Sequence, residues 1–386
     1  MSGRPRVLFV NHSSTISGAE LVLLDVVRPW AGASALVFED GPLAPALAAR
    51  SLTTMASRWG RRLAGIRRDS NLLGALPALG ALAGLGVELL GAARRHDVIY
   101  ANSQKAFVLS ALCAGALRRP LIWHLHDIID PAHFGRAQRL LQIGLANRFA
   151  SRVVVPSRAA ADAFVAAGGR AGLVTVIPNG IDAAAGDADR ATRQSELGLP
   201  PGRLVGVFSR LARWKGQHVL LEALADLPSD VKVVMVGAPL FGEDAYALEL
   251  DALVKARGLG GRVVALGQRA DVPALMQAMD VVVHPSIAPE PFGRTLVEAM
   301  LAGTPVVATD AGAAREILAD GACGVLAPPA DPAGLARALR TVLSDPVSCH
   351  AMVERAGRRA REVYGTGPML EATADLIVRT ARGAPS

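Results

Sequence analysis

The sequence predicts an α/β protein built as two doubly wound halves, each a parallel sheet with helices on both faces. Three observations carry this expectation. The chain of 386 residues is too long for one ordinary core and suggests two domains of fewer than about 200 residues each. Half of the residues are hydrophobic (51%) and only 19% are charged, so both domains can bury a sizeable core. Short apolar runs alternate with Ala- and Leu-rich helical stretches, the order a parallel sheet needs, and the second half repeats the plan of the first.

The elements follow in order. Arg6–Val10 is a buried-strand run ending in polar Asn11-His12-Ser13-Ser14, and residues 19–27 then carry helical periodicity. Further strands are expected at 35–38, 98–100, 121–125, 152–155 and 174–177. The second half places them at 204–208, 231–236, 263–266, 281–283 and 306–308. Ligands of such sheets sit beyond the C-terminal ends of the strands. A linker is expected at residues 183–202, where Ala183-Ala184-Ala185-Gly186 and Leu199-Pro200-Pro201-Gly202 flank a short helix-like piece. Residues 72–93, almost all Leu, Ala and Gly, have nominal membrane-spanning length, with arginines on both sides. Pro77, five glycines and Glu88 argue against a span, so the segment is read as a packed helix or helix pair. An interfacial membrane helix is the alternative.

Charge is unevenly distributed. Residues 1–185 hold 20 basic and 11 acidic side chains, net +9, while residues 186–386 hold 21 and 23, net −2. A one-sided basic domain suits a nucleic acid, an anionic lipid surface or a phosphate-bearing acceptor. With 4% aromatics and no zinc-ligand spacing, a nucleic-acid partner is not expected. Cys113, Cys323 and Cys349 are odd in number and widely separated, which fits reduced, buried thiols. The opening Met-Ser-Gly-Arg-Pro-Arg leads into a strand too short for a signal-peptide core. The chain is therefore expected to be cytoplasmic, with a place at the inner face of the membrane left open.

The most informative stretch is Pro289-Glu290-Pro291-Phe292-Gly293-Arg294-Thr295-Leu296-Val297-Glu298-Ala299-Met300. It sets two carboxylates eight residues apart across a loop-to-helix junction. The first N–H groups of a helix have no partner inside it and, with the positive end of its dipole, suit a diphosphate. Glu298, about one turn inside, can accept hydrogen bonds from vicinal hydroxyls. Glu290 is expected to stand outside, free to meet a different sugar. Read as the paired carboxylates of a glycoside hydrolase, the two glutamates would have to flank one scissile bond, yet the helix start lies between them.

These residues, followed by Ala302-Gly303-Thr304-Pro305-Val306-Val307-Ala308, resemble the donor-site signature of family-4 retaining glycosyltransferases. Ser209-Arg210-Leu211 with Lys215-Gly216, Val155-Pro156-Ser157, Ile177-Pro178-Asn179-Gly180-Ile181-Asp182 and the loop Ser17-Gly18-Ala19-Glu20 extend the resemblance over most of the chain. It implies the GT-B fold: two Rossmann-like domains facing across a cleft, with a C-terminal helix crossing back to the first. Acceptor-binding residues 1–182, linker 183–202, nucleotide-sugar-binding residues 203–367 and the returning helix 368–386 are the expected divisions.

The resemblance also implies roles. Arg210 and Lys215, at the end of a strand, would stabilise the departing nucleoside diphosphate, the Arg with its fork and the Lys with a compact charge. Gly18 would let the backbone approach the diphosphate. Glu290 would hold the hexose and Glu298 the ribose. Arg269 marks the loop that holds the base, and Gly237, Phe292, Gly293, Arg294 and Thr295 complete the donor-binding set. In His124-Leu125-His126-Asp127 the two imidazoles share a face, and no further zinc ligand is evident. His126 best matches the family's site histidine and would orient a sugar hydroxyl, with His124 the alternative. Asp187-Ala188-Asp189 imitates a D-x-D metal motif in a loop far from other acids, so no metal or cofactor is expected.

The expected activity is metal-independent, retaining transfer of a hexose from a UDP- or GDP-sugar to a lipid-linked or other cell-envelope or exopolysaccharide glycan. Rival expectations are transfer to a soluble secondary metabolite, a GT-B-type sugar-nucleotide epimerase acting on donor alone, and a non-catalytic glycan-binding module.

Overall fold

The computed structural model describes residues 4–60, 76–131, 133–182, 189–240 and 242–383. The chain divides into two compact units. One comprises residues 1–180 with 366–386, the other residues 181–365.

In the first unit seven parallel strands run β1 (Val7–Asn11), β2 (Ser34–Val37), β3 (Thr53–Ala56), β4 (Val98–Ala101), β5 (Leu121–His124), β6 (Arg152–Val155) and β7 (Val174–Val176). Their spatial order is β3-β2-β1-β4-β5-β6-β7. The period-2 alternation of strand side chains divides β1 between two cores. Leu8 and Val10 face one with Trp123 and Phe107, and Val7 and Phe9 face the other with Tyr100 and Trp30. The helix Thr366–Ala381 belongs to this unit and buries Met369, Leu376 and Ile377 in the second of these cores. The return of the C-terminal helix to the first domain is thus observed.

Residues 72–75 of the Leu- and Ala-rich segment lie outside the described residues. From Leu76 to Ala93 the chain is a helix that buries Ala81, Leu85, Leu89 and Ala93, four residues apart, the last three of them in the first core. Its Glu88 accepts from Ser57 Oγ (2.6 Å) and Arg58 Nε (3.1 Å). Among the described residues no helix is long and apolar enough to cross a membrane.

The second unit holds β8 (Arg203–Phe208), β9 (Val231–Val236), β10 (Val263–Gly267), β11 (Val281–His284), β12 (Val306–Thr309) and β13 (Val325–Ala327), all parallel, in the order β10-β9-β8-β11-β12-β13. Val281 and Val283 join the core on one face and Val282 the core on the other. The expected linker differs. Residues 183–188, including Asp187, lie outside the described residues, and the helix Arg190–Glu196 belongs to the second unit. It is held there by Gln194 Nε2 to the Ala278 carbonyl (2.8 Å), Arg193 Nε to Gln277 Oε1 (3.1 Å) and an ion pair of Arg190 with Asp280 (2.5 Å). Asp189 caps this helix, accepting from the Thr192 N–H (3.0 Å) and Oγ1 (2.8 Å).

In both sheets the strand order reverses beside the first strand, between β1 and β4 and between β8 and β11. That is where loops diverge at the C-terminal edge and leave a crevice.

Candidate functional site

In the second unit the loops after β8 and β11 meet through charge. Lys215 Nζ lies 2.7 Å from Glu290 Oε1, His284 Nε2 lies 2.8 Å from the same oxygen, and Ser286 Oγ donates to it as well. Glu290 is only 7% exposed, so the expectation of a free-standing carboxylate is corrected: the side chain is buried and fixed by three donors. The reason is long-range. Lys215 follows β8, which pairs directly with β11, and brings a cation under a loop 75 residues further on. Burial alone would raise the Glu290 carboxyl, but His284 and Lys215 outweigh it and hold the group well below the usual carboxylate range. All three bonds use Oε1, and none of them occupies Oε2.

His284, at the end of β11, also reaches the helix Arg294–Leu301 through Nδ1 and Thr295 Oγ1 (3.1 Å). That helix starts from Gly293 in the left-handed region (φ +82°), and no side chain caps it. Its first N–H groups therefore have no side-chain partner. Arg294 Nη2 stands 3.5 Å from Glu298 Oε1, while Arg294 Nη1 is buried without a hydrogen-bond partner among the described residues. Burial pushes the Glu298 carboxyl up against the opposing pull of Arg294. An unmatched guanidinium N–H beside a helix start is suited to an anion. The Trp214 ring packs against both cations, 5.4 Å from the Arg210 guanidinium and 4.3 Å from Lys215 Nζ, ring centroid to charge.

Three glycines lock these loops. A Cβ on Gly216 (φ +71°) would stand 1.9 Å from the Pro285 carbonyl oxygen, one on Gly237 (φ +141°) 2.0 Å from that of Ser209, and one on Gly312 (φ +61°) 2.2 Å from that of Glu290. Gly237, expected to touch the donor, thus presses on the backbone of Ser209 and Arg210. Gln217 completes that loop, donating to Ser209 Oγ and to the Arg210 carbonyl, both at 2.9 Å.

The remaining expected donor-site residues of this unit are placed less directly. Phe292 is 3% exposed and packs edge-on against Tyr364 with ring centroids 5.7 Å apart, so its side chain serves the core and only its backbone is left for a ligand. Arg269 is paired with Asp271 at 2.8 and 2.6 Å, which ties its side chain to its own loop. His284, Ser286, Gln217 and Gly312 were not anticipated. The signal for His284 is a histidine that closes the apolar run Val281–Val283.

In the first unit the polar ends of β1, β4 and β5 form a chain of side chains. His126 Nε2 is 3.0 Å from Asn102 Oδ1, Asn102 Nδ2 donates to Asn11 Oδ1 (3.1 Å) and the Ala19 carbonyl (3.2 Å), and Asn11 Nδ2 donates to Ser13 O (2.9 Å) and Glu20 Oε1 (3.2 Å). Glu20 Oε2 in turn accepts from the Ser17 N–H (3.2 Å) and Oγ (2.5 Å), closing the start of the helix Gly18–Val26 in which Gly18 is the first residue. His124 and His126 stack with ring centroids 3.9 Å apart, but His124 is fully buried and its Nδ1 is engaged by Tyr100 Oη (2.7 Å). Burial lowers both imidazoles, His126 to about 3, so His126 is neutral at ordinary pH. No group of three or more His, Cys, Asp or Glu among the described residues is arranged to hold a metal ion.

Two switch-point loops bearing fixed polar groups, one of them beside an uncapped helix start, agree with what comparison finds. Residues 17–185 match Glycosyltransferase Family 4 and residues 189–360 match Glycosyl transferases group 1. A lipopolysaccharide core biosynthesis mannosyltransferase, LpcC of Rhizobium leguminosarum, is 29% identical over 81% of this chain and 92% of its own length. A D-inositol 3-phosphate glycosyltransferase of Kineococcus radiotolerans is 31% identical over 77% of this chain and 75% of its own. Anabaena Alr3699/HepE, crystallised in complex with UDP-glucose, superposes with a TM-score of 0.86 at 38% identity, covering 97% of this chain and 99% of that one. On its two parallel-sheet units, its returning C-terminal helix and these matches, the chain belongs to the family-4 glycosyltransferases of the GT-B fold.

Proposed function

We propose that the chain is a metal-independent, retaining hexosyltransferase that takes its sugar from a UDP-sugar and passes it to a lipid-linked or other envelope glycan. The observation that carries this reading is the buried Glu290, fixed through one oxygen by Lys215, His284 and Ser286 just before the helix start at Arg294. Such a carboxylate keeps its second oxygen for a sugar hydroxyl. Arg210, Lys215 and the helix N–H groups receive the charge that develops on the departing diphosphate. Glu298 takes the ribose, Gly18 lets the backbone meet the diphosphate, and His126 orients a hydroxyl. Uridine is favoured over guanosine because the Anabaena relative binds UDP-glucose. The envelope acceptor is supported by the likeness to a lipopolysaccharide mannosyltransferase.

A thermal-shift panel of nucleotide sugars should show UDP-glucose or another UDP-sugar raising Tm, because a ligand that binds only the native state stabilises it. Stabilisation by GDP-sugars alone would overturn the uridine assignment. With the stabilising donor and a glycan acceptor, the product anomer seen by proton NMR should match that of the donor, and EDTA should leave the rate unchanged. Loss of turnover on chelation, restored by magnesium or manganese, would remove the metal-independent reading. Conversion of the donor to its epimer without acceptor would replace transferase by epimerase.

The basic first half places the enzyme, in this proposal, at the cytoplasmic face of an anionic membrane as a peripheral protein. The helices Leu76–Ala93, Gln104–Leu117 and Arg136–Phe149 cover one face of the first sheet and leave Leu82, Val87, Leu112, Leu140 and Leu141 exposed, with Arg136 and Arg148 exposed beside the last two. Apolar side chains among arginines suit shallow insertion below lipid phosphates. Attraction of this kind decays within about 8 Å at physiological salt, so flotation with anionic liposomes should be strong at low salt and weak at high salt. Protein that remains unbound at low salt would point instead to a soluble acceptor.

A further inference from the structure

The side-chain chain in the first unit fixes more than position. Two backbone carbonyls, which can only accept, set its direction. Ser13 O faces the Asn11 amide nitrogen, so Asn11 turns its oxygen toward Asn102. Ala19 O and that Asn11 oxygen both face the Asn102 amide nitrogen, so Asn102 turns its own oxygen toward His126. An amide oxygen cannot donate. The 3.0 Å contact is therefore a bond only if His126 Nε2 carries the proton, and a neutral imidazole then keeps its lone pair on Nδ1. No side chain or backbone group among the described residues bonds to Nδ1.

We propose that Asn102 is a positioning residue that holds His126 in the Nε2–H tautomer, so that His126 presents Nδ1 as a hydrogen-bond acceptor for a hydroxyl of the sugar or of the acceptor. This rests on the transferase reading for its ligand, while the tautomer itself is a property of the free protein. Asn102 is completely buried and Asn11 nearly so, which keeps water from competing for either amide. A glutamine or serine reaching His126 from solvent would leave both tautomers open. The titratable groups around the imidazole are the stacked His124 with Tyr100 behind it, Glu20 through Asn11, His12 held by Ser103 Oγ at 2.8 Å, Lys105, and the neighbouring Asp127, which accepts from Gln104.

Nitrogen-15 NMR of histidine-labelled protein, with the His126 signals assigned by their loss in His126→Gln, reads the tautomer directly. Nε2–H is expected in the wild type, and a predominant Nδ1–H form overturns the proposal whatever the protein transfers. Asn102→Ala should yield a mixture of the two forms. Asn102→Asp sets a carboxylate against Nε2 and should bring protonation of His126 up toward neutrality, because an adjacent negative charge favours the imidazolium. An imidazolium has no acceptor, so kcat of this variant should fall about tenfold from about pH 8 to about pH 6, in a range where the wild type is flat. Flat profiles in both would also overturn the proposal. Retained Tm shifts with the donor in each variant show that the fold and the second unit are intact. A wild type with the expected tautomer but no transfer from any donor would sink the transferase reading alone.

Discussion

Lys215→Ala and Arg210→Ala should each lower kcat by about a hundred- to a thousand-fold, the cost of removing one donor aimed at developing negative charge, about 3–4 kcal/mol. The structure separates the two in stability. Lys215 is 2.7 Å from a carboxylate on a residue that is 7% exposed, so its loss leaves that carboxylate buried with His284 and Ser286 as its partners among the described residues. Breaking a buried pair from one side costs about 3–5 kcal/mol. Arg210 lies over Trp214, outside that buried pair, and its truncation should lower the urea midpoint less than that of Lys215. Single-turnover rates and urea melts on the two variants check both halves. Near-wild-type turnover in either would remove that residue from leaving-group stabilisation, and equal stability losses would contradict the asymmetry read from the ion pair.

The cores of both sheets were legible because their strands are continuous apolar runs. The pattern at 281–283 and 204–208 needs no knowledge of partners to be read as buried strand. The edges were not. Thr53–Ala56 is largely exposed and carries two threonines, and Val325–Ala327 spans three residues, so neither has the apolar length that marks a strand in sequence alone. The linker was misjudged because Leu199-Pro200-Pro201-Gly202 reads locally as a break, while Gln194 finds its partner at Ala278, far along the chain. At the site, the carboxylate pair and the helix start could be read from nine consecutive positions, Glu290 to Glu298. The pairing of Lys215 with Glu290 could not, since it is made by the β8–β11 neighbour relation. Asn11 and Asn102 did leave a trace: each is a polar residue closing a run of buried strand, where an unpartnered amide would be costly.

Gly312→Ala is expected to be among the most damaging small substitutions in the second unit. The residue sits at φ +61°, where an L side chain is strained by about 1–2 kcal/mol. Its Cβ would also stand 2.2 Å from the Glu290 carbonyl oxygen and 2.3 Å from the Glu290 nitrogen, both backbone atoms that no rotamer can move. Strain and overpacking together should cost about 3–5 kcal/mol. Relief requires the Glu290 segment to shift from the loop after β12, to which it is tied by the Ala313 N–H at 3.0 Å. Such a shift pulls the carboxylate away from Lys215, His284 and Ser286, so kcat should fall along with stability. Gly303→Ala supplies the comparison: its φ is +73°, but nothing lies within 4 Å of the added Cβ, so it carries the backbone strain without the collision. Urea melts should therefore show a loss for Gly312→Ala at least twice that for Gly303→Ala, with turnover impaired only in the former. Similar losses in the two would mean that backbone strain alone matters, and that the close approach of Gly312 does not set the position of Glu290.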